Sequence, residues 1–335
     1  MSSAKLQLAV IGCGSATQIL HLPALARTEE IEVCALVDRD EARAQRLGQL
    51  YGIPNILTDY NALTQAQAAL VALPNHLHAP VTQDLLRRGL HVCVENPMAL
   101  TVADCEQMIQ VAAETRKTLA MGMIRRGFPA VRFVHDALVT NLIGPVTSVD
   151  WQEGHNAGWE TASDYILRPE QAGGGILTDL GPQIIDTLTW WFGQPKLIEY
   201  ADDAQGGLEA NCLATLELPG GIPARVELSR GRRLPNRVRI QGRNARLILS
   251  VGPGGPVSLE FDSPGPNKLS GFPGTASQAT EHDALRLLFS DFARSIAESR
   301  KPWVTGEAGR DTVALIQNCY AQRTLLRYPW EVNAA

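Results

Sequence analysis

A glycine-rich turn near the start of the chain has residue types and spacing that suit nucleotide binding. It follows the apolar run Leu6–Ile11 directly, and its pattern is G-x-G-x-x-T. The two glycines permit a tight turn and allow the close approach of a pyrophosphate to the backbone. Threonine stands where a third glycine is usual, and strand-to-helix turns use glycine for other reasons too. The cofactor-binding candidates in this turn are Gly12, Cys13, Gly14, Ser15, Ala16 and Thr17.

An acidic residue, Asp38, ends the second strand-like run, 21 residues after Thr17. A carboxylate at that place accepts hydrogen bonds from the ribose hydroxyls of NAD and repels the 2′-phosphate of NADP. A solvated turn residue is the alternative interpretation of Asp38. Arg39 follows immediately and could attract the 2′-phosphate instead. The pattern favours NAD and leaves NADP open.

Two further strand ends carry polar residues and prolines. The third strand-like run is followed by Leu73, Pro74, Asn75 and His78, and the fourth by Glu95 and Asn96. In a parallel sheet, ligands bind beyond the carboxyl ends of the strands, which lie along one rim. We therefore assign these six residues to the cofactor site as well.

A polar stripe follows three consecutive glycines at 173–175. Pro182 suits the first turn of a helix, and Asp179, Gln183 and Asp186 recur at spacings that align them on one helix face. Such a stripe is usually solvated, but the glycines allow close approach of a ligand or of another backbone. The buried side of this helix is expected to consist of Ile184, Ile185, Leu188 and Trp191.

Several polar and aromatic residues outside this helix suit a polyhydroxylated or carboxylated ligand. These substrate-binding candidates are Arg126, His155, Trp159, Tyr165 and Arg168, together with Asp186 of the helix. An ordinary polar loop and a solvated arginine are the alternative interpretations.

The elements that must position these residues fall into two domains. In residues 1–125, strand and helix patterns alternate, which predicts a Rossmann-type parallel sheet with helices on both faces. Residues 126–335 contain successive strands without intervening helices, and then two helices near 281–299 and 306–327. The first of these has an apolar stripe from Leu285 to Ile296. We predict an α/β protein whose second domain is α+β with a large, mostly antiparallel open sheet.

Composition argues against several classes of protein. The 335 residues carry a net charge of −5, which offers no global attraction to nucleic acid or to anionic lipid. No apolar run approaches the roughly 18 residues of a membrane span, and the first residues do not form a signal peptide, so we expect a cytoplasmic protein. Six cysteines without a C-x-x-C pair predict reduced thiols. The H-x-H of His76 and His78 lacks further ligands at suitable spacing, so we expect no metal.

Taken in order, these motifs resemble the glucose–fructose oxidoreductase and inositol dehydrogenase family, usually called Gfo/Idh/MocA. The matching pieces are 12–17 with 21–25, Pro74 and Asn75 with His78, 95–97, Arg126 with Pro129, and 173–186. The resemblance covers nearly the whole chain. It implies a dinucleotide-binding domain, a second domain with an open sheet, and NAD(P)-dependent oxidation or reduction of sugars, polyols or related small molecules. It also implies a homodimer or homotetramer.

Two residues depart from the family pattern. The family has Glu-Lys-Pro where this chain has Glu95, Asn96 and Pro97, and it usually has histidine where this chain has Gln183. An amide orients a carbonyl or hydroxyl but does not exchange a proton at neutral pH, and such exchange is worth about 10² to 10⁴ in rate. The resemblance makes Asn96, Asp179 and Gln183 the catalytic candidates. Asp179 matches the family's aspartate and is the first candidate for an acid or base, followed by Tyr165 and His155.

Two functions stay open at this point. The first is an NAD(P)-dependent oxidoreductase with altered proton chemistry, acting on a sugar, a polyol or a related hydroxylated or carbonyl compound. The second is a dinucleotide-binding protein without net redox turnover. Such a protein senses the cofactor, partners another protein, or uses bound NAD transiently for an elimination or hydrolysis.

Overall fold

The computed structural model describes residues 4–154, 162–261, 268–270 and 278–327. Their contacts group them into two compact units. The first unit holds the described residues up to 127 together with 162–173 and 281–313, and the second holds the others. The helices are α1 (Leu22–Leu25), α2 (Glu41–Tyr51), α3 (His78–Arg87), α4 (Val102–Thr115), α5 (Pro129–Val139), α6 (Pro169–Ala172), α7 (Ile176–Phe192), α8 (Glu281–Ala297) and α9 (Gly306–Ala321).

A six-stranded parallel sheet forms the centre of the first unit. Its strands are β1 (Leu6–Ile11), β2 (Ile31–Val37), β3 (Ile56–Leu57), β4 (Ala68–Val71), β5 (His91–Val94) and β6 (Leu119–Met121). Their order is β3-β2-β1-β4-β5-β6, so the direction of winding reverses between β1 and β4. Ligands of such sheets bind at this switch point, beyond the carboxyl ends of the strands. The predicted Rossmann-type sheet is confirmed.

Apolar side chains cover both faces of this sheet because helices pack on each face. Ile11 and Val37, which are partners in register, lie in one core cluster with residues of α3 and α4. Val10 and Leu36 are also partners, and they lie in a second cluster with residues of α2 and α8. The continuous apolar runs of β1 and β2 follow from this burial on two sides.

Helix α8 packs within the first unit although it lies near the end of the chain. Leu285 and Phe289, from the predicted apolar stripe, are buried in the same cluster as Val10. Arg294 also pairs with Glu30 at 2.6 Å. The first unit thus extends beyond the domain expected at 1–125, because the stripe of α8 completes the apolar layer on one sheet face.

A mixed sheet of nine strands forms the centre of the second unit. Its strands are β7 (Val146–Gly154), β8 (Lys196–Asp202), β9 (Asn211–Leu218), β10 (Ile222–Ser229), β11 (Arg237–Gly242), β12 (Ala245–Ser250), β13 (Val257–Phe261), β14 (Lys268–Ser270) and β15 (Thr324–Leu325). Their order is β14-β13-β12-β11-β7-β10-β9-β8-β15. The pairs β7–β10 and β8–β15 are parallel and the other described pairs are antiparallel. This confirms the predicted large, mostly antiparallel sheet.

Helix α7 packs on this sheet against β9 and β10. Strands β11 and β12 alternate buried and half-buried residues, as expected for a sheet with one face in the core. Trp151 of β7 and Trp191 of α7 have ring centroids 6.0 Å apart, and Trp191 Nε1 donates to the Val131 carbonyl. The expected buried side of α7 is confirmed for all four residues, Ile184, Ile185, Leu188 and Trp191.

Within the described ranges, no helix combines the length and the apolar character that crossing a membrane requires. The same residues include no group of three or more His, Cys, Asp or Glu side chains placed to hold a metal ion. All six cysteines carry free thiols.

Candidate active site

The glycine turn after β1 lies at the switch point of the parallel sheet. Gly12 has φ +102°, and a Cβ there would stand 2.1 Å from the Ala72 carbonyl oxygen. This position therefore requires glycine. Gly14 differs, because among the described residues a Cβ there would meet only Ala162, at 4.0 Å. The fold does not demand glycine at position 14, which leaves the top of the turn open for a ligand to come close.

Thr17, in place of the third glycine, closes this turn from inside. It is fully buried, and its hydroxyl donates to the Gly12 carbonyl at 2.7 Å. Thr17 begins a short π-helical turn, Thr17–His21, which runs on into α1. Single π-helical turns occur frequently at functional sites. A hydroxyl thus stabilises the turn at the position where a family glycine allows close packing.

Asp38 is fixed above the turn by hydrogen bonds to both carboxylate oxygens. Cys13 N donates to Oδ2 at 2.7 Å, and Asp40 N donates to Oδ1 at 2.8 Å. Arg43, in α2, stands 3.5 Å from Oδ2, and Arg39 is exposed. Burial, followed by the charge of Asp38, raises the pKa of the Cys13 thiol to about 12, so this side chain is a neutral part of the core. Asp38 is therefore a rigid acceptor beside the glycine turn.

Asn75 and His78, after β4, are buried and held by backbone carbonyls. Asn75 Nδ2 donates to the Ala172 carbonyl at 2.8 Å. Both His78 ring nitrogens lie 2.7 Å from carbonyl oxygens, those of Pro97 and Leu73. Burial lowers the pKa of His78. His78 thus joins the segments that follow β4 and β5.

A partly buried contact between His21 and Glu95 lies at the end of β5. His21 Nε2 and Glu95 Oε1 are 2.7 Å apart, and His21 is only 1% exposed. The other oxygen, Oε2, accepts from Asn96 N at 3.1 Å and from Asn96 Nδ2 at 3.3 Å. Burial alone would raise the pKa of Glu95, but the hydrogen bond and charge of His21 outweigh it and the net direction is down. The carboxylate beside Asn96 is therefore ionised at neutral pH.

Residues 162–173 belong to the first unit and reach the same rim. Asn75 binds α6 through the Ala172 carbonyl, and a Cβ on Gly173 would meet Leu100 at 2.5 Å. Arg168 forms an exposed pair with Asp164 at 2.6 Å, and Tyr165 is half-buried in a 3₁₀ turn. Two other substrate candidates, His155 and Trp159, lie outside the described residues.

Arg126, the remaining substrate candidate from the end of the parallel sheet, is tied to the first unit. Its Nη1 donates to the Trp303 carbonyl at 3.0 Å. This contact fixes part of the guanidinium next to the segment between α8 and α9.

In the second unit, a buried carboxylate caps helix α7. Glu209 is 2% exposed and accepts from Gly175 N and Leu177 N at 3.0 Å. Tyr320 OH donates to the same side chain at 2.7 Å and lies 2.9 Å from Thr178 Oγ1. A negative charge at this end also suits the helix dipole. Glu209 thus fixes the start of the helix that carries Asp179 and Gln183.

The polar stripe of α7 runs from solvent into the core. Asp179 has an exposed side chain that pairs with Arg230 at 2.7 Å. Gln183 is half-buried one turn later, and Asp186 is 2% exposed. The three residues share a helix face as predicted, yet Asp179 alone among them is exposed.

Four residues of these two clusters were not assigned a site role from the sequence: His21, Arg43, Glu209 and Tyr320. His21 lies in one of the family motifs, but its partner Glu95 is 74 positions away in the sequence. Glu209 meets Gly175 from 34 positions away. Arg43 had a local signal, because its backbone N–H bonds the N-cap Asp40 three residues earlier.

Two family models match the chain. Residues 6–123 match an oxidoreductase family model with an NAD-binding Rossmann fold, and residues 131–248 match the GFO/IDH/MocA C-terminal domain. The chain belongs to the Gfo/Idh/MocA oxidoreductase family. It is therefore an oxidoreductase with an NAD(P)-binding Rossmann fold, and the resemblance seen in its motifs is confirmed.

The chain is similar to several known oxidoreductases. It is 27% identical over 309 residues to a D-xylose 1-dehydrogenase (NADP⁺) of Haloferax volcanii, covering 89% of this chain and 91% of the relative. A 3-ketoreductase from Actinomadura kijaniata, solved with NADP and TDP-benzene, has a TM-score of 0.85 at 22% identity, over 97% of this chain and all of that one. An aldose–aldose oxidoreductase from Caulobacter crescentus, solved with glycerol, has a TM-score of 0.84 at 24% identity, over 95% of this chain and 97% of that one. These two structures agree in fold.

Proposed function

We propose that this protein is an NAD(P)-dependent oxidoreductase acting on a sugar, a polyol or a related hydroxylated or carbonyl compound, with altered proton-transfer residues. The observation that carries the proposal is the pairing of an open glycine turn with a rigid carboxylate, Asp38, at the switch point of the sheet. The names of the relatives support a small hydroxylated substrate.

The residues present fit a dinucleotide. Gly12 is required by the backbone, whereas Gly14 leaves a space that a Cβ would fill. The backbone of residues 12–17 would hold the pyrophosphate, and Asp38 would accept hydrogen bonds from ribose hydroxyls. When bound, the nicotinamide accepts or supplies a hydride.

The charges around Asp38 bear on the choice between NAD and NADP. Its carboxylate keeps acceptor capacity beyond its bonds to Cys13 and Asp40, which suits ribose hydroxyls and favours NAD. Arg39 and Arg43 bring positive charge to the same strand end, which suits a 2′-phosphate. We propose NAD as the preferred coenzyme, with NADP as the competing form.

Proton transfer must use groups other than the two amides. Asn96 and Gln183, as amides, would orient substrate oxygens rather than exchange protons, and Asp179 would accept or give the proton. Asp179 is exposed and paired with Arg230, so its carboxylate is accessible to solvent protons. The candidates for holding the substrate are Tyr165, Arg168, Arg126, Asp186, His155 and Trp159.

A double substitution tests this account. Restoring the family residues as Asn96→Lys with Gln183→His is expected to raise dehydrogenase turnover by about 10²-fold or more, because two proton-exchanging groups return. NADH absorbance across a panel of sugars, polyols and their keto forms measures it. Tight NADH binding without an absorbance change for either protein, across the whole panel, would contradict the proposal.

The two amides also favour a second candidate function. A protein that binds the dinucleotide without net redox turnover has no need of a lysine or histidine relay, and Asn96 and Gln183 match that condition. Solvent deuterium entering a substrate without net NADH change would support transient redox. No turnover of any kind, with coenzyme binding intact, would support a sensor or partner role.

We also propose a homodimer or homotetramer in the cytoplasm. The half-buried residues that alternate along β11 and β12 give the large sheet a second face with partial exposure. Light scattering on the purified protein measures the mass directly. A single species of 36.3 kDa would contradict the oligomer.

A further inference from the structure

The amide of Asn96 has one orientation that its surroundings allow. Its Nδ2 donates to Glu95 Oε2, which also accepts from the Asn96 backbone. The reverse orientation would place the amide oxygen against a carboxylate oxygen, and neither of these atoms can donate. Oδ1 therefore points away from Glu95, and no residue of the described part of the chain bonds to it.

Glu95 is in turn held by a contact with His21 and fits into the space that Gly122 leaves. His21 Nε2 lies 2.7 Å from Oε1. A Cβ on Gly122 would stand 2.7 Å from the same carboxylate, so glycine there makes room for it. On its other side His21 Nδ1 lies 3.5 Å from Thr17 Oγ1, whose hydrogen goes to the Gly12 carbonyl. One chain of contacts thus joins the glycine turn to position 96.

The residues at the two ends of this series of contacts, Thr17 and Asn96, depart from the family motifs. Thr17 stands at the position of the third glycine, and Asn96 stands at the position of the lysine. A lysine at position 96 would bring a positive charge beside Glu95 and present only donors to a ligand. In this protein the balancing group is the buried His21, and the side chain at position 96 presents a carbonyl oxygen.

We propose that Glu95, held by His21, is a positioning residue that fixes Asn96 with its carbonyl oxygen toward the ligand, so that position 96 selects a group that donates a hydrogen bond. A hydroxyl of an alcohol substrate can donate to Oδ1 of Asn96, whereas a keto oxygen cannot. The substrate class rests on the proposed function. The orientation of Asn96 does not.

The orientation depends on the charge of Glu95. The titratable groups that face this carboxylate are His21, His78 and Cys93. Of these, His21 provides the hydrogen bond that offsets burial, and the thiol of Cys93 is kept neutral by its own burial, which raises its pKa. A protonated Glu95 would carry an O–H donor, which Oδ1 of Asn96 can accept. The Asn96 amide would then be free to adopt the reverse orientation.

The test observes the side-chain amide of Asn96 by NMR in ¹⁵N-asparagine-labelled full-length protein without ligand. In the wild type we expect this signal to be constant from pH 7 to pH 5. In His21→Leu, Glu95 loses the donor that lowers its pKa, so a transition should appear above the ordinary value of 4.5. His21→Gln restores a donor and should return the wild-type behaviour.

A second variant keeps the test decisive if His21→Leu does not fold. Glu95→Gln preserves shape but removes the charge, and we expect the Asn96 signal to shift at all pH values and lose its response to pH. His91→Gln, at the opposite end of β5, is the matched control and should leave the Asn96 signal unchanged. A separate NADH titration of wild type tests the proposed function independently.

Two results would overturn the proposal. One is an Asn96 signal that titrates alike in wild type, His21→Leu and His21→Gln. The other is an unshifted signal in Glu95→Gln. If the coenzyme fails to bind while the NMR results hold, the proposed function fails and the positioning role stands.

Discussion

Alanine substitutions at the two glycines of the turn should affect different properties: Gly12→Ala should lower the stability of the fold, and Gly14→Ala should weaken coenzyme binding. At Gly12 a methyl group would stand 2.1 Å from the Ala72 oxygen and 2.8 Å from its carbonyl carbon, with φ at +102°. The left-handed conformation costs about 1–2 kcal/mol, and the overpacking about 1–3 kcal/mol. Gly12→Ala should therefore lower the free energy of unfolding by roughly 2–5 kcal/mol.

Gly14→Ala should leave folding intact and weaken coenzyme binding. In the part of the chain that the structure describes, the added methyl meets only Ala162, at 4.0 Å. We expect the free energy of unfolding to stay within about 0.5 kcal/mol of wild type. The methyl would nevertheless occupy the space where a pyrophosphate comes close to the backbone, and the loss of even one charge-assisted hydrogen bond, about 1.5–3 kcal/mol, weakens binding by roughly 10- to 100-fold.

The assay combines urea unfolding with titration of NADH fluorescence on both variants. Gly89→Ala is a useful control for a glycine with φ above zero far from the turn, because its Cβ would meet Lys117 at an ordinary contact distance of 3.9 Å. It should lose stability modestly and keep wild-type affinity. Wild-type NADH affinity in Gly14→Ala would refute the assignment of this turn to the pyrophosphate.

Three further outcomes are expected. Asp38→Ala should shift the ratio of NAD to NADP affinities by about 10-fold or more toward NADP, measured by competition titration, since the repelling carboxylate is gone; an unchanged ratio would contradict the role of Asp38. Glu209→Ala should lower the free energy of unfolding by about 3–5 kcal/mol in urea, because buried donors at the start of α7 lose their acceptor, whereas the exposed Glu217→Ala should change it little; similar losses in both variants would contradict the cap. Burial and then the charge of Lys117 lower the pKa of His91 from 6.5 to about 4, so the fold favours the neutral form and the free energy of unfolding should fall as the pH drops from 6.5 toward 4. In His91→Gln the urea midpoint should depend less on pH in that window. An equal pH dependence in wild type and variant would contradict this prediction.

The rim of the parallel sheet was predictable because its signals are local. Glycines, prolines and polar residues mark the ends of β1, β2, β4 and β5 within a few positions of each strand. The helix stripe of α7 was predictable for the same reason, since side-chain direction follows from helical spacing. A stripe does not say what it packs against, however. The residues from Leu285 onward predicted a helix correctly, but nothing local assigned α8 to the first unit.

The polar contacts that fix the candidate site could not be read from spacing. His21 and Glu95 come together because the π-helical turn Thr17–His21 meets the residue that follows β5, and Glu209 reaches α7 from the segment before β9. Such pairs depend on tertiary packing rather than on sequence period. Strands β3 and β15 were also missed, because two residues each are too short for an alternating pattern.

Calorimetric titration of the folded wild-type protein with NAD, NADH, NADP and NADPH tests the central claim most directly. The account predicts saturable binding of at least one of these coenzymes with one site per chain, and binding that is weaker by roughly 10- to 100-fold in Gly14→Ala. Well-folded protein that takes up none of the four would contradict the assignment of the rim at Gly12, Gly14 and Asp38.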